Sequence, residues 1–94
     1  MQHEEFNDNT QQQRFELRSG GNVAAIAQYE LDGGTLALTH TEVLPGNEGK
    51  GLGSKIAKQA LDNARGRGLR VDARCEFIAA YIDKHPEYAA LLVK

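Results

Sequence analysis

The stretch Leu44-Pro45-Gly46-Asn47-Glu48-Gly49-Lys50-Gly51-Leu52-Gly53-Ser54 constrains this chain more than any other. Four of its ten glycines fall there, between a run patterned as a strand and a run patterned as a helix. Glycine populates positive φ without a Cβ clash, so such a loop can turn several backbone N–H groups into one small space. The helix that follows adds unpaired N–H groups and the positive end of its dipole. Together these make a site for a phosphorylated ligand. The competing reading is a plain glycine-rich turn from strand to helix.

Spacing excludes two phosphate loops. A Walker A loop needs Gly-Lys followed by a hydroxyl residue, but here Lys50 precedes Gly51. A dinucleotide fingerprint needs Gly-x-Gly-x-x-Gly at the first strand of a βαβ unit, whereas Gly49, Gly51 and Gly53 alternate. No acidic residue closes a second strand about 20 residues later in that context.

The rest of the chain reads as one small domain. Met1 to Gln13 is a polar lead, expected to be mobile, and residues 14–94 form the domain. Phe15 and Leu17 alternate with charged neighbours over Arg14 to Arg18, a first strand. After Ser19-Gly20-Gly21-Asn22, Val23 to Leu31 suits a second; Asp32-Gly33-Gly34 is a hairpin turn into a third, Thr35 to Val43. Leu52, Ile56, Ala57, Ala60, Leu61 and Ala64 form one helical stripe, stopped near Gly66 and Gly68. Leu69 to Ala73 is a short fourth strand, reached through that helix and so parallel to the third. Glu76 to Lys84 reads as a second helix and Glu87 to Val93 as a last one, with Pro86 at its first turn. The order β-β-β-α-β-α-α is an α/β (α+β) fold, a mixed sheet of about four strands with helices packed on it.

A net charge of −2 argues against a nucleic-acid binder that relies on bulk positive charge. One cysteine rules out an internal disulfide and fits a reducing compartment. No apolar run approaches membrane-spanning length and the N-terminus is not signal-like, so a cytoplasmic protein is expected, without membrane or nucleic-acid partners.

Chemistry belongs where the third and fourth strands end, beside the phosphate loop. Three titratable residues fall there: His40 near the end of the third strand, Cys75 at the entrance of the following helix, and Tyr81 on that helix. A thiol at a helix N-terminus has its pKa lowered by the dipole, and a histidine can take its proton. Each has a plainer reading. Cys75 fits a small buried hydrophobe. His40 shares the alternation of Leu36 and Leu38 and fits a core histidine; Tyr81 has Phe77, Ile78 and Ile82 as neighbours and fits packing. Glu42 is a second candidate base, or a solvated carboxylate at a strand end. His85 and Glu87 read as helix-junction residues. No metal site is expected.

The loop Glu48-Gly49-Lys50-Gly51-Leu52-Gly53 resembles the Gln/Arg-x-x-Gly-x-Gly/Ala pyrophosphate loop of the GNAT superfamily, with Glu48 departing from the usual Gln or Arg. Thr39-His40-Thr41-Glu42-Val43, Cys75, Tyr81 and His85-Pro86-Glu87-Tyr88 in that order are similar to the minimal, stand-alone members of that family, from Arg14 onward. Ala73 stands where many relatives have proline. The resemblance implies acetyl-CoA as donor, bound in a split between the third and fourth strands. Main-chain groups around Glu42 and Val43 would pair with pantetheine. N–H groups from Gly49, Lys50, Gly51, Leu52, Gly53 and Ser54 would hold the pyrophosphate. It also implies His40 and Cys75 as the reactive pair, and Tyr81 as a proton donor to the CoA thiolate.

Two routes stay open: direct attack by an amine, with His40 or Glu42 as base, or an acetyl-Cys75 intermediate. Only Ser19 to Asn22 separates the first two strands, so the acceptor side is expected to be open. That suits a lysine or N-terminus on another protein, or a small amine. A non-catalytic coenzyme A-binding module is the alternative. A protein-interaction role for the C-terminal helices rests only on Phe77, Tyr81, Tyr88, Leu91 and Leu92.

Overall fold

A computed structural model describes residues 4–93. Its five strands stand in the order β1 (Glu4–Asn9), β2 (Arg14–Ser19), β3 (Asn22–Asp32), β4 (Thr35–Val43) and β5 (Arg70–Ala73). Neighbours among β1 to β4 are antiparallel, and β5 pairs parallel to β4. Helix α1 (Leu52–Gly66) makes the crossover between β4 and β5. Helix α2 (Glu76–Lys84) and a 3-10 helix (Pro86–Leu91) follow. The expected class and strand directions hold, with five strands in place of about four.

The additional strand is β1, in the segment the sequence assigns to a polar lead. Phe6 is its one large apolar side chain, and it stacks on Phe15 with ring centroids 5.2 Å apart. Its polar side chains reach other elements instead. Glu4 pairs with Lys55, Asp8 accepts from the Tyr29 hydroxyl, and the Asn9 amide donates to Glu16. No apolar alternation marks such an edge strand, because ion pairs and hydrogen bonds hold it.

Register assigns the two faces of the sheet. Cross-strand partners share a face, so Phe6, Leu17, Ala25 and Val43 form a row on one side. Asn7, Glu16, Ile26 and Glu42 form the adjacent row on the other. Helix α1 lies across the first face, burying Leu52, Ile56, Ala57, Ala60, Leu61 and Ala64, the stripe its sequence predicts. Each large aliphatic chain so buried contributes about 1.5–3 kcal/mol. Among the described residues the buried side chains of the helices all join the core of the first face, and the second face carries no helix. Glu16 is nonetheless buried in it, held by Arg14 at 2.9 Å, Arg18 at 3.5 Å and Asn9 at 2.9 Å.

One irregularity moves a candidate residue. Gln28 pairs with His40 but Tyr29 pairs with Leu38, which leaves Thr39 as an extra residue in β4. Such a bulge breaks the two-residue alternation. His40 therefore leaves the buried face of Leu36 and Leu38, and its side chain is 53% exposed. The core-histidine reading of His40 is corrected on that ground. At the C-terminus, the last helix is a 3-10 helix that starts at Pro86 and gives way to an extended Leu92, where an α-helix over Glu87 to Val93 was expected.

Candidate functional site

Strands β4 and β5 separate part-way along. They pair only from Thr35 with Arg70 to Leu38 with Ala73. The N–H groups of Arg74 and Cys75 then both donate to the Leu38 carbonyl, at 3.1 and 3.0 Å, and close the ladder. β4 runs on to Val43 with no strand on that side among the described residues. Leu44 N–H donates to the Ala24 carbonyl of β3 at 2.8 Å. Alternation then turns the main-chain groups of Glu42 and His40 toward β3 as well, and those of Thr41 and Val43 into the gap. The split offers a strand edge at Thr41 and Val43 with no strand beside it among the described residues. Of the two residues the sequence proposes for pantetheine, Val43 presents its main chain there and Glu42 does not.

The glycine loop lies on the helix side of this gap. A cleft of about 320 Å³ is bordered by Val43, Asn47, Gly49, Gly51, Ser54 and Phe77. Glu48, Leu52 and Gly53 also line it, while Lys50 stands exposed beside it. Gly46, Gly49 and Gly51 have φ of 89°, 81° and 70°. Gly51 is the N-cap of α1, with no side-chain cap and no acidic residue in the first turn. Since the Lys55 N–H is the one that reaches the Gly51 carbonyl, at 3.1 Å, those of Leu52, Gly53 and Ser54 have no carbonyl within the helix. An anion fits such a mouth. Glu48 also lines the cleft, with its Oε1 accepting from the Gly46 N–H at 2.9 Å, so one carboxylate oxygen is engaged by the loop itself.

Gly53 is in the helix without positive φ, and proximity is what its lack of a side chain serves. A Cβ there would stand 3.0 Å from the Phe77 ring. Phe77 is 41% exposed and walls both the cleft and a second cavity of about 100 Å³ formed with Ser54, Tyr81, Lys84 and His85.

Cys75 caps α2 in an extended conformation, with φ −90° and ψ 127°. Its Sγ is 3.5 Å from Thr41 Oγ1, across the open end of the split. Burial disfavours the thiolate, but the Thr41 hydroxyl and the N–H groups of Ile78, Phe77 and Thr41 favour it more, and the pKa falls below its ordinary value. The placement at a helix N-terminus agrees with the sequence; Thr41 as its partner was not anticipated. Only the spacing of Thr41 from the end of β4 could have suggested it.

His40 faces the other way. Its Nε2 lies 3.2 Å from Glu42 Oε1, both on the helix-free face. Thr41, between them in sequence, points to the helix side together with its register partners Ala27 and Phe15. His40 and Cys75 thus flank the split from opposite faces, each with a different partner. Tyr81 is 9% exposed and stacks on His85 with ring centroids 4.1 Å apart. Burial raises its pKa, so the phenol stays protonated. It lies beyond Phe77, in the smaller cavity. Among the described residues no group of three or more His, Cys, Asp and Glu could hold a metal, and no helix is long and apolar enough to cross a membrane.

A split strand pair with an uncapped glycine-loop helix at its mouth can be compared with known proteins. Residues 14–91 match the family model described as GCN5-related N-acetyl-transferase. The chain belongs to this family. It is 32% identical over 78 residues to Protein NATD1 of Mus musculus, covering 81% of this chain and 71% of that protein. It is 32% identical over 75 residues to Protein NATD1 of Xenopus tropicalis, covering 78% and 69%. Its fold superimposes on the solution structure of a GCN5-like protein from Staphylococcus aureus with a TM-score of 0.71, covering 95% of this chain and 87% of the other at 24% identity. That last likeness concerns the GNAT fold alone.

Proposed function

We propose that this GNAT domain transfers an acetyl group from acetyl-CoA to an amine, through the slot between β4 and β5. One observation carries the reading. The unpaired end of β4 has the uncapped, glycine-lined cleft on the helix side and the His40–Glu42 pair on the helix-free side, with the Cys75–Thr41 contact just past the end of the β5 ladder.

In this reading the N–H groups of Gly49 to Ser54 hold the pyrophosphate, aided by Lys50. The main chain of Val43 and the carbonyl of Thr41 pair with the amides of pantetheine as a strand edge would. Glu42 orients the His40 ring by binding Nε2, leaving Nδ1 to take the proton of the attacking amine. As the new C–N bond forms and the C–S bond breaks, the sulfur of CoA keeps the bonding electrons and needs a proton. In this reading Cys75 gives it, with Tyr81 as a second donor. Opposite faces for His40 and Cys75 favour this direct transfer over an acetyl-cysteine route, which needs one base beside one nucleophile.

Incubation with labelled acetyl-CoA and an amine, followed by intact-mass analysis, tests it. CoA release that depends on the amine, with no stable adduct on the protein, is the expected result. A single acetyl group mapped to Cys75 replaces the direct route with the covalent one. No release by any amine, with CoA still bound, returns the chain to a binding module.

A further inference from the structure

Beside His40, on the helix-free face, lies an open cavity of about 240 Å³ that the reaction above does not use. Its walls are Gln12 and Gln13 of the β1–β2 turn, Gln28 and Glu30 of β3, the bulge residue Thr39, and Tyr29. Gln28 is the cross-strand partner of His40, so the two side chains share a face. Glu30, two residues on, shares it as well. The bulge that exposes His40 is therefore also one wall of this cavity.

The turn that contributes Gln12 and Gln13 is strained. Among the described residues, Gln13 is the one non-glycine residue with positive φ, at 54°. Its carbonyl accepts from the Tyr29 N–H at 2.9 Å, which holds it there. Non-glycine residues in this region are uncommon and persist where surrounding contacts over-determine them. The run Gln11-Gln12-Gln13 is otherwise unexplained by the core or by the slot.

We infer that this cavity is the acceptor subsite and that its occupant is peptide main chain flanking a lysine whose amine reaches His40. The inference rests on the acetyltransferase reading above. Three primary amides and a hydroxyl offer donors and acceptors together, as a peptide group does. A polyamine offers mainly donors, so it can use only the glutamine oxygens and leaves their N–H groups to water. Arg14 and Arg18 on this face are taken up by Glu16, and Arg74 by Asp72, so Glu30 and Glu42 are left to stand against a phosphate-rich acceptor. A sugar ring finds no exposed aromatic face to stack on, since Tyr29 is only 6% exposed. The cavity lies open along the sheet, and no helix stands between β2 and β3 to close it, which suits a strand-like segment running past His40.

Three amine probes test the inference: a blocked pentapeptide with a central lysine among alanines, a blocked single lysine, and glucosamine. In isotope-labelled protein loaded with CoA, the pentapeptide should move the side-chain amide signals of Gln12, Gln13 and Gln28. In kinetics it should be a better acceptor than the single lysine and glucosamine. Gln28→Ala and Gln13→Gly should each raise its KM by about fivefold, roughly the net worth of one hydrogen bond. The kcat and the KM for acetyl-CoA should hold. Gln13→Gly also relieves the strained φ, so a folding defect would not imitate the effect. An unchanged peptide KM, still amide signals, or a preference for glucosamine overturns the subsite even where transfer occurs. Failure of every amine to accept acetyl, with CoA still bound, overturns the acetyltransferase reading and this one with it.

Discussion

Cys75 Sγ and Thr41 Oγ1 meet at 3.5 Å, joining the N-cap of α2 to a part of β4 that β5 never reaches. In the thiol form the S–H donates to Thr41; in the thiolate form the hydroxyl donates to sulfur. The contact therefore marks the open end of the slot and tunes the thiol that stands in it.

The first expectation follows from that pair. The pH midpoint for alkylation of Cys75 should lie below the ordinary 9.0, because only the thiolate reacts. Thr41→Val removes the hydroxyl and should move the midpoint up. Stopped alkylation followed by mass analysis across pH 6–10 (about the range around the usual thiol pKa) reads it. An unmoved midpoint would assign the effect to the helix N–H groups alone.

The loop glycines should separate into two kinds. Gly51→Ala forces a Cβ onto a residue at φ 70° and should destabilise by about 1–2 kcal/mol, besides weakening CoA binding. Gly53→Ala meets only the ring edge of a half-exposed Phe77, which can turn aside. That change should cost little, since alanine gains about 1 kcal/mol of helix propensity over glycine. Glu48→Gln retains an acceptor for the Gly46 N–H and removes a charge, so CoA should bind as well or better. Thermal shifts with and without CoA report all three. A marked loss of binding on Glu48→Gln would assign its carboxylate a further role.

How far these features were legible depends on the range of the interaction behind each. The α1 stripe repeats every turn and can be counted off the sequence. Parallel pairing of β5 follows from the helical crossover. Thr39 carries no glycine or proline to announce its bulge, which is set by competing registers on β3, and His40 was misplaced for that reason. β1 buries little and is held by partners as distant as Lys55, which no local pattern encodes. Gly53 looked like a positive-φ residue because its loop neighbours are; its reason is a ring on another helix.

Stability should fall at both ends of the pH range through identified groups. Glu16 has a lowered pKa, from the Asn9 hydrogen bond first, with burial opposing and Arg14 and Arg18 assisting. Its contribution is present above its unfolded pKa and lost as pH falls through the folded value. Burial raises Tyr29 and Tyr88 to about 12, with Asp8 and Asp62 adding to the shift. Their contribution is full below about pH 10, the unfolded tyrosine value, and is lost as pH rises toward 12. Tyr88→Phe, which breaks a 2.7 Å bond to Asp62, should cost about 1 kcal/mol at neutral pH. It should also flatten the alkaline limb in urea titrations, and an unchanged limb would leave Tyr29 to account for it.

The last expectation concerns whether His40 and Cys75 act as one unit. Catalytic groups that share a step are strongly non-additive, so a double substitution is little worse than the poorer single one. Here the two residues stand on opposite faces of the split, His40 with Glu42 and Cys75 with Thr41. They serve different protons in direct transfer, one leaving the amine and one reaching the CoA sulfur. His40→Ala should reduce turnover by roughly 10²-fold or more, as loss of a general base does. Glu42→Gln should act in the same direction more weakly, through the orientation of the ring. Cys75→Ala should lower turnover by its own factor, with Tyr81 and water as substitute donors. The double variant should then show the product of the two factors, and His40→Ala should leave the alkylation profile of Cys75 in place. A double variant no worse than His40→Ala, or a Cys75 profile that moves with His40, would mean that the two side chains meet during turnover and that the acetyl-cysteine route is the one taken.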